Sequence, residues 1–212
     1  MQKVTIIGIA GPSGSGKSYL ASQLKSGWES AEFPGEISIV HEDGYYRDQS
    51  DMDFQQREKT NYDHPDAFEH ELLVKQLVEF RAGNSICVPQ YNYAEHNRMP
   101  ETVQVVANQI LVVEGILLFH DATVRNQLDI KIFVDTSIES CLKRRIQRDT
   151  QQRGRSEESV RKQYQTTVMP MYRQFVEPSR QYADLMVQGV GGNEVLLEML
   201  LSYLRDAQTI AQ

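Results

Sequence analysis

Gly11-Pro12-Ser13-Gly14-Ser15-Gly16-Lys17-Ser18 follows directly on the apolar run Val4-Thr5-Ile6-Ile7-Gly8-Ile9-Ala10 and precedes a helix-like stretch. The octet matches G-x-x-x-x-G-K-[ST] at every constrained position, and the strand before it and the helix after it supply the required context. Glycines let consecutive backbone N–H groups converge on phosphates, and the following helix adds the positive end of its dipole. Lys17 is then expected to reach the β- and γ-phosphates of a nucleotide, with the Ser18 hydroxyl on Mg²⁺. Gly11, Pro12, Ser13, Gly14, Ser15, Gly16, Lys17 and Ser18 are the expected nucleotide cradle. Pro12 stands where a small or flexible residue is expected; it stiffens the loop and removes one backbone donor. A dinucleotide fold also places a Gly-rich turn after its first strand, but the G-x-G-x-x-G spacing is absent between Gly8 and Gly16.

Outward from this loop, short apolar runs recur at Ile37–Val40, Ile110–Val113, Ile130–Val134 and Leu185–Val187, most of them separated by helical patterns. That alternation predicts an α/β fold of the P-loop NTPase type, a mostly parallel sheet with helices on both faces. The 212 residues, 40% of them hydrophobic, suit a single domain spanning 1–212. Between about 85 and 106 the rhythm breaks. Ile86-Cys87-Val88-Pro89-Gln90-Tyr91 and Thr102-Val103-Gln104-Val105-Val106 flank a polar, Pro-containing segment, which reads as an inserted antiparallel β-hairpin. Asp66 and Glu69 resemble a capping box opening a helix that carries Leu72, Leu73, Leu77 and Phe80 and ends at Gly83-Asn84. A later helix, Ile138 to about Gln151, runs into Arg153-Gly154-Arg155-Ser156, where Gly154 breaks it and Ser156 caps the next. This basic hinge reads as an Arg-rich helical lid over about 144–163.

A formal net charge of −7 argues against general affinity for nucleic acid or anionic membrane. No apolar run approaches the roughly 18 residues of a membrane helix, and the β-branched N-terminal run reads as a buried strand rather than a signal peptide. Cys87 and Cys141 both sit in apolar runs, so buried, reduced thiols and a cytoplasmic location are expected.

A P-loop alone does not separate a kinase from a switch or a motor. The D-x-x-G and N-K-x-D patterns usual in GTPase switches are absent. Glu114 ends the strand Ile110–Val113, where a carboxylate can order magnesium and its water; a solvent-facing strand end is the other reading. Asp43, after the second strand, is the candidate catalytic base. It would orient an acceptor hydroxyl and take its proton late, because the transition state is loose; an Asx-type turn before Gly44 is the plainer reading. The cluster Lys143, Arg144, Arg145, Arg148, Arg153 and Arg155 contrasts with an acidic chain. It reads either as a solvated helix face or, with a P-loop present, as cations that close over the transferred phosphoryl group.

Laid in order, the strings Glu42-Asp43-Gly44-Tyr45-Tyr46, Asn61-Tyr62-Asp63-His64-Pro65-Asp66-Ala67, Pro89-Gln90-Tyr91-Asn92-Tyr93 with His96 and Arg98, Glu114-Gly115-Ile116-Leu117, Arg144-Arg145-Ile146-Gln147-Arg148-Asp149 and Arg153-Gly154-Arg155-Ser156 resemble the uridine kinase family over nearly the whole chain. The resemblance implies transfer of the γ-phosphate of ATP or GTP, with Mg²⁺, to the 5′-hydroxyl of uridine or cytidine. It implies that Asp43 contacts that hydroxyl and that Asp63 holds the ribose 2′- and 3′-hydroxyls, two acceptor oxygens for two O–H donors. It also implies that Tyr91 and His96 read the polar edge of the pyrimidine and that Tyr93 packs on its face. Arg145 and the catalytic Arg148 match lid arginines near acceptor and phosphates, Arg153 and Arg155 more mobile lid positions, and Gln163 a further substrate contact. A homotetramer and feedback by a cytidine triphosphate end product are implied in the same way. The chain departs from the family at Gln188-Gly189-Val190-Gly191-Gly192-Asn193, where a Pro-Arg-Gly-containing loop is expected near the donor base; ATP and GTP both stay open as donors. A phosphoribulokinase-like sugar-phosphate kinase and a catalytically silent nucleotide-binding regulator are the alternatives. The hairpin aromatics argue against the first, and the presence of Lys17, Asp43 and the lid arginines against the second.

Overall fold

A computed structural model describes residues 4–189, 191 and 193–209; Val190 and Gly192 of the departing loop lie outside the described residues. Five strands form one parallel sheet: β1 (Thr5–Ala10), β2 (Ile37–His41), β5 (Ile110–Gly115), β6 (Ile130–Asp135) and β7 (Leu185–Gln188), in the order β2-β5-β1-β6-β7. All five expected apolar runs are strands of this sheet. Every residue of the central β1 and β5 is buried, as a strand covered on both faces requires.

Alternate residues feed two cores. Ile6, Leu111, Val113 and Phe133 point to one face, under α3 (His70–Arg81), while Ile7, Ile9, Val112 and Ile132 point to the other, under α1 (Lys17–Ser30) and α9 (Glu194–Thr209). The period of two thus sorts each strand's side chains between two helical layers. Short helices α2 (Phe54–Arg57) and α4 (Ala122–Arg125) lie in the connections. The separate two-stranded antiparallel sheet is β3 (Ile86–Asn92) and β4 (Asn97–Val105). β4 begins earlier than its apolar run suggests, so most of the polar segment is strand. Between the Tyr91–Arg98 and Pro89–Thr102 pairs the register shifts, and the extra residues on β4 include Pro100. Proline has no N–H for the ladder, and a bulge accommodates it.

α5 (Ile138–Gln152) is followed by the 153–156 turn and α6 (Glu157–Gln163), and the Ser156 hydroxyl caps α6 by accepting from Ser159 N. The chain then continues through π turns at Tyr164–Val168 and Tyr172–Val176, each leading into a short segment that carries a proline: α7 (Met169–Met171) with Pro170 and α8 (Glu177–Ser179) with Pro178. The wider π spacing absorbs the break that a proline makes in the i→i−4 ladder.

Two expectations are corrected. Asp66 does not cap α3: the helix starts at His70 with no side-chain cap, and Asp66 lies in a separate 3-10 turn, Pro65–Ala67, whose His64 Nδ1 accepts from Asp66 N. Cys141 is buried but Cys87 is exposed, both as free thiols. Ile86 and Val88 turn inward on β3, so the residue between them faces out. Among the described residues no helix is long and apolar enough to cross a membrane.

Candidate active site

The strand ends meet the P-loop at the carboxyl edge of the sheet. Gly11, Gly14 and Gly16 all have positive φ, which glycine alone adopts without strain. At Gly14 a Cβ would lie 2.5 Å from the Cys141 carbonyl oxygen, so the loop also packs against α5 only because the side chain is missing. Gly16 precedes α1 without any side-chain cap, leaving the helix's first N–H groups for an anion. Pro12 O accepts from Ser15 N (3.0 Å) and from Lys17 Nζ (3.1 Å).

Lys17 is buried, and desolvation pulls its pKa below the usual lysine range against the raising influence of Glu114 and Asp43. Glu114 answers that charge. Burial would raise its carboxyl, but hydrogen bonds from His41 Nδ1 (2.7 Å) and Ser18 Oγ (2.9 Å) to Oε1, with the Lys17 charge, hold it below the ordinary glutamate value. Parallel register places His41 beside Glu114. Among the described residues no group of three or more His, Cys, Asp or Glu could hold a metal ion by itself. The adjacent Ser18 and Glu114 oxygens are nevertheless hard donors of the kind Mg²⁺ accepts when phosphate oxygens and water complete its shell.

Asp43 sits in the 3-10 turn Glu42–Tyr45 directly after β2. Its Oδ2 accepts from Tyr93 Oη at 2.5 Å, which docks the hairpin onto the sheet edge. The fully buried Glu42 beside it accepts from Leu117 N (2.9 Å) and pairs with His70 Nε2 (2.9 Å), tying the Asp43 turn to the loop after Glu114. Gly115 leaves the room that the Glu42 carboxylate occupies.

A cavity of about 650 Å³ runs from this edge to the hairpin. Ser13, Gly14, Gly16, Lys17, Ser18, Asp43, Asp63, Tyr91, Tyr93, His96, Glu114, Arg145, Arg148 and Gln163 all line it, whereas Gly11, Pro12 and Ser15 lie behind its wall. Asp63 is buried and its carboxylate accepts no hydrogen bond from the described residues; burial raises its pKa, opposed by Arg145 and reinforced by Asp43. Among the described residues the buried Tyr91 hydroxyl makes no well-formed hydrogen bond, and burial keeps His96 less basic than usual. Tyr93 differs from the sequence expectation in that one face of its ring is already covered by the Arg153 guanidinium, 3.8 Å from the centroid. Sequence reasoning missed Tyr62. Its ring stacks on His96 (5.7 Å, 21°), and its hydroxyl lies 3.1 Å from His96 O, holding that residue at φ 49. Its place in the Asn61-Tyr62-Asp63 string was the only available signal.

The arginines of α5 and the turn after it gather at the other wall. Arg145 Nη1 donates to Ser13 Oγ (3.1 Å), and Gln163 Oε1 accepts from both Arg145 (3.1 Å) and Arg155 (2.5 Å). A phosphate cradle, a buried lysine, two strand-end carboxylates and a cationic wall around one cavity can bind a nucleotide and stabilise charge moving between two oxygens.

Comparison with known proteins bears on the same residues. A protein named uridine kinase from Escherichia fergusonii is 49% identical over 195 residues, 92% of each chain. Another of that name from Aeromonas hydrophila is 46% identical over 200 residues, 94% of each. A solved phosphoribulokinase from Rhodobacter spheroides shares the fold with a TM-score of 0.67 at 18% identity, covering 89% of this chain and 71% of that one. The family model described as Phosphoribulokinase / Uridine kinase family matches residues 6–196. That span contains the P-loop, both carboxylate turns, the hairpin and the Arg-rich α5–α6 segment, and the chain belongs to the phosphoribulokinase/uridine kinase family.

Proposed function

We propose that this chain is a pyrimidine nucleoside kinase, transferring the γ-phosphate of a nucleoside triphosphate to the 5′-hydroxyl of uridine or cytidine. The observation that carries this reading is the single cavity in which Asp43 lies between the P-loop and a pocket of Asp63, Tyr91 and His96. The relatives named uridine kinase, aligned over 92% of the chain, support the same acceptor.

Lys17, whose burial strengthens its field, neutralises the β- and γ-phosphates. Asp43 accepts the hydrogen bond of the incoming 5′-hydroxyl, and Tyr93 holds the carboxylate in place for it. Asp63, with free acceptor capacity, takes the two ribose hydroxyls, and the Tyr91 hydroxyl and the neutral His96 meet the polar edge of the base. Arg145 and Arg148 balance the charge on the phosphoryl group in flight, where positioning and electrostatics carry nearly all of the catalysis. Ser18 and Glu114 would hold Mg²⁺, which supplies further neutralisation of the phosphates when bound. The donor is ATP or GTP.

Initial rates from Mg-ATP and Mg-GTP to uridine, cytidine, deoxyuridine, adenosine and ribulose 5-phosphate, run beside Asp43→Asn, test this reading. Transfer to uridine or cytidine that falls by about 10²–10⁴ in the variant is expected. Transfer confined to ribulose 5-phosphate would replace the nucleoside reading with a sugar-phosphate kinase.

A further inference from the structure

Asp149, near the end of α5, is fully buried, and four guanidinium groups converge on it. Arg148 binds Oδ1 through Nε and Nη2, both at 2.8 Å, and Arg153 lies 3.7 Å from the same oxygen. Arg145 and Arg155 approach Oδ2 at 3.5 and 3.7 Å. Among the described residues every ion pair of these four arginines runs to Asp149. Its backbone carbonyl also accepts from Arg153 N (3.2 Å) and Arg155 N (3.1 Å), so the same residue shapes the turn that carries them.

A lone buried carboxylate is costly, and four crowded cations repel one another; each explains the other. The pairing is incomplete, however. Among the described residues Asp149 Oδ2 and Arg145 Nε are both buried without a hydrogen-bond partner. All four arginines line the cavity and Asp149 does not: Arg145 reaches the P-loop at Ser13 Oγ, Arg153 lies over the Tyr93 ring and Arg155 bonds Gln163 and Ser159, so one carboxylate gathers groups that touch both the P-loop and the hairpin.

We propose that Asp149 is a positioning residue, a buried counter-charge that preassembles the four arginines into one array lining the cavity beside the P-loop before any nucleotide arrives. Its single charge offsets part of their repulsion and leaves the array strongly cationic toward the cavity. The arginines are then oriented for the transferring phosphoryl group without reorganisation during the reaction. The link to turnover rests on the kinase reading; the electrostatic claim does not.

Removing this charge moves two quantities in opposite directions. Turnover falls because the arginines splay, and affinity for simple anions rises because their charge is no longer offset. A folding defect would lower both. The test is Asp149→Asn in the full chain, comparing kcat and KM for uridine with Mg-ATP, and the Kd of inorganic pyrophosphate by calorimetry. We expect kcat to drop by about 10²-fold, with little change in uridine KM, and pyrophosphate to bind about threefold tighter or more. An unchanged kcat, or kcat and pyrophosphate affinity falling together, would overturn the proposal.

The double variant Asp149→Asn/Arg153→Gln removes one charge of each sign and answers the case in which the single variant does not fold. Its pyrophosphate Kd should return toward wild type while kcat stays low; full recovery of kcat would refute positioning. A wild-type chain that phosphorylates no nucleoside would sink the kinase reading and leave the pyrophosphate comparison, which needs no acceptor, to decide the role of Asp149.

Discussion

Glu114 and Asp63 are equally buried, each 8% exposed, and both face the same cavity, yet the fold treats them in opposite ways. Glu114 is held ionised: burial penalises it, but His41, Lys17 and Ser18 outweigh that penalty. Asp63 has burial against it and, among the described residues, no side-chain donor; the Arg145 charge only partly offsets the burial, and its pKa is raised. The contrast follows from their supports. Glu114 ends a central strand beside the P-loop, where neighbouring elements bring partners to it, whereas Asp63 lies in the irregular stretch between α2 and α3. A buried carboxylate left without donors is a group whose partners come from outside the chain. The P-loop side of the cavity is completed by the protein, while the Asp63 side leaves acceptor capacity open, as the proposed nucleoside reading requires.

Glu114→Ala should break this comparison most severely. Lys17 would stay buried without its nearest counter-charge, costing about 3 kcal/mol of stability, and turnover should fall about 10²–10³-fold. Urea unfolding and initial rates measure the two effects. Because the folded pKa of Glu114 lies below its ordinary 4.5, its contribution is present above pH 4.5 and is lost as pH falls through the depressed value. The stability deficit of the variant should therefore shrink in acid, and a deficit independent of pH would show that charge is not its cause.

Asp63→Asn comes next, with effects of opposite sign on activity and stability. A neutral amide removes the burial penalty, so Tm should rise by about 2–4 °C, the shift expected of ~1 kcal/mol in a chain of this size. Meanwhile kcat/KM for uridine should fall about 10²-fold or more, and the preference over deoxyuridine should collapse toward one. The sign with pH is the reverse of that for Glu114. Wild type loses stability as pH climbs from about 3.8 through the raised folded pKa, so the advantage of the variant should be absent below about pH 3.8, grow over that interval and be complete above the folded pKa. A lower Tm in Asp63→Asn at neutral pH would mean that the carboxylate is compensated after all.

Tyr91→Phe should have the smallest effect. Among the described residues its hydroxyl makes no well-formed hydrogen bond, so thermal stability should be unchanged or slightly higher, while uridine KM rises about fivefold, one lost hydrogen bond of ~1 kcal/mol. An unaltered KM would remove Tyr91 from the groups that read the base.

The P-loop and the five sheet strands were legible because their signals are local. Eight residues specify the loop's backbone, and a period of two in short apolar runs specifies a covered strand. Asp66 misled because a Ser/Thr/Asp-x-x-Glu spacing does not say where the chain turns: Pro65 opens a separate 3-10 turn in which the His64 ring accepts from Asp66 N–H, and α3 starts later. Cys87 misled because an apolar run on a two-stranded sheet keeps one face in solvent.

The sequence by itself determined the glycine-rich loop, the order of strands and helices along the chain, and the residue types that the strand ends, hairpin and Arg-rich turn bring to the cavity, since each depends on neighbours within a few positions. Only the tertiary structure decided how those groups are charged and aimed. Asp43 meets Tyr93 fifty residues away, Glu114 gains Ser18 and His41 from two other elements, and four arginines share one buried Asp149 because a turn folds two of them back. Burial and opposing charge fix such properties, and both are sums over the whole fold that no local pattern encodes.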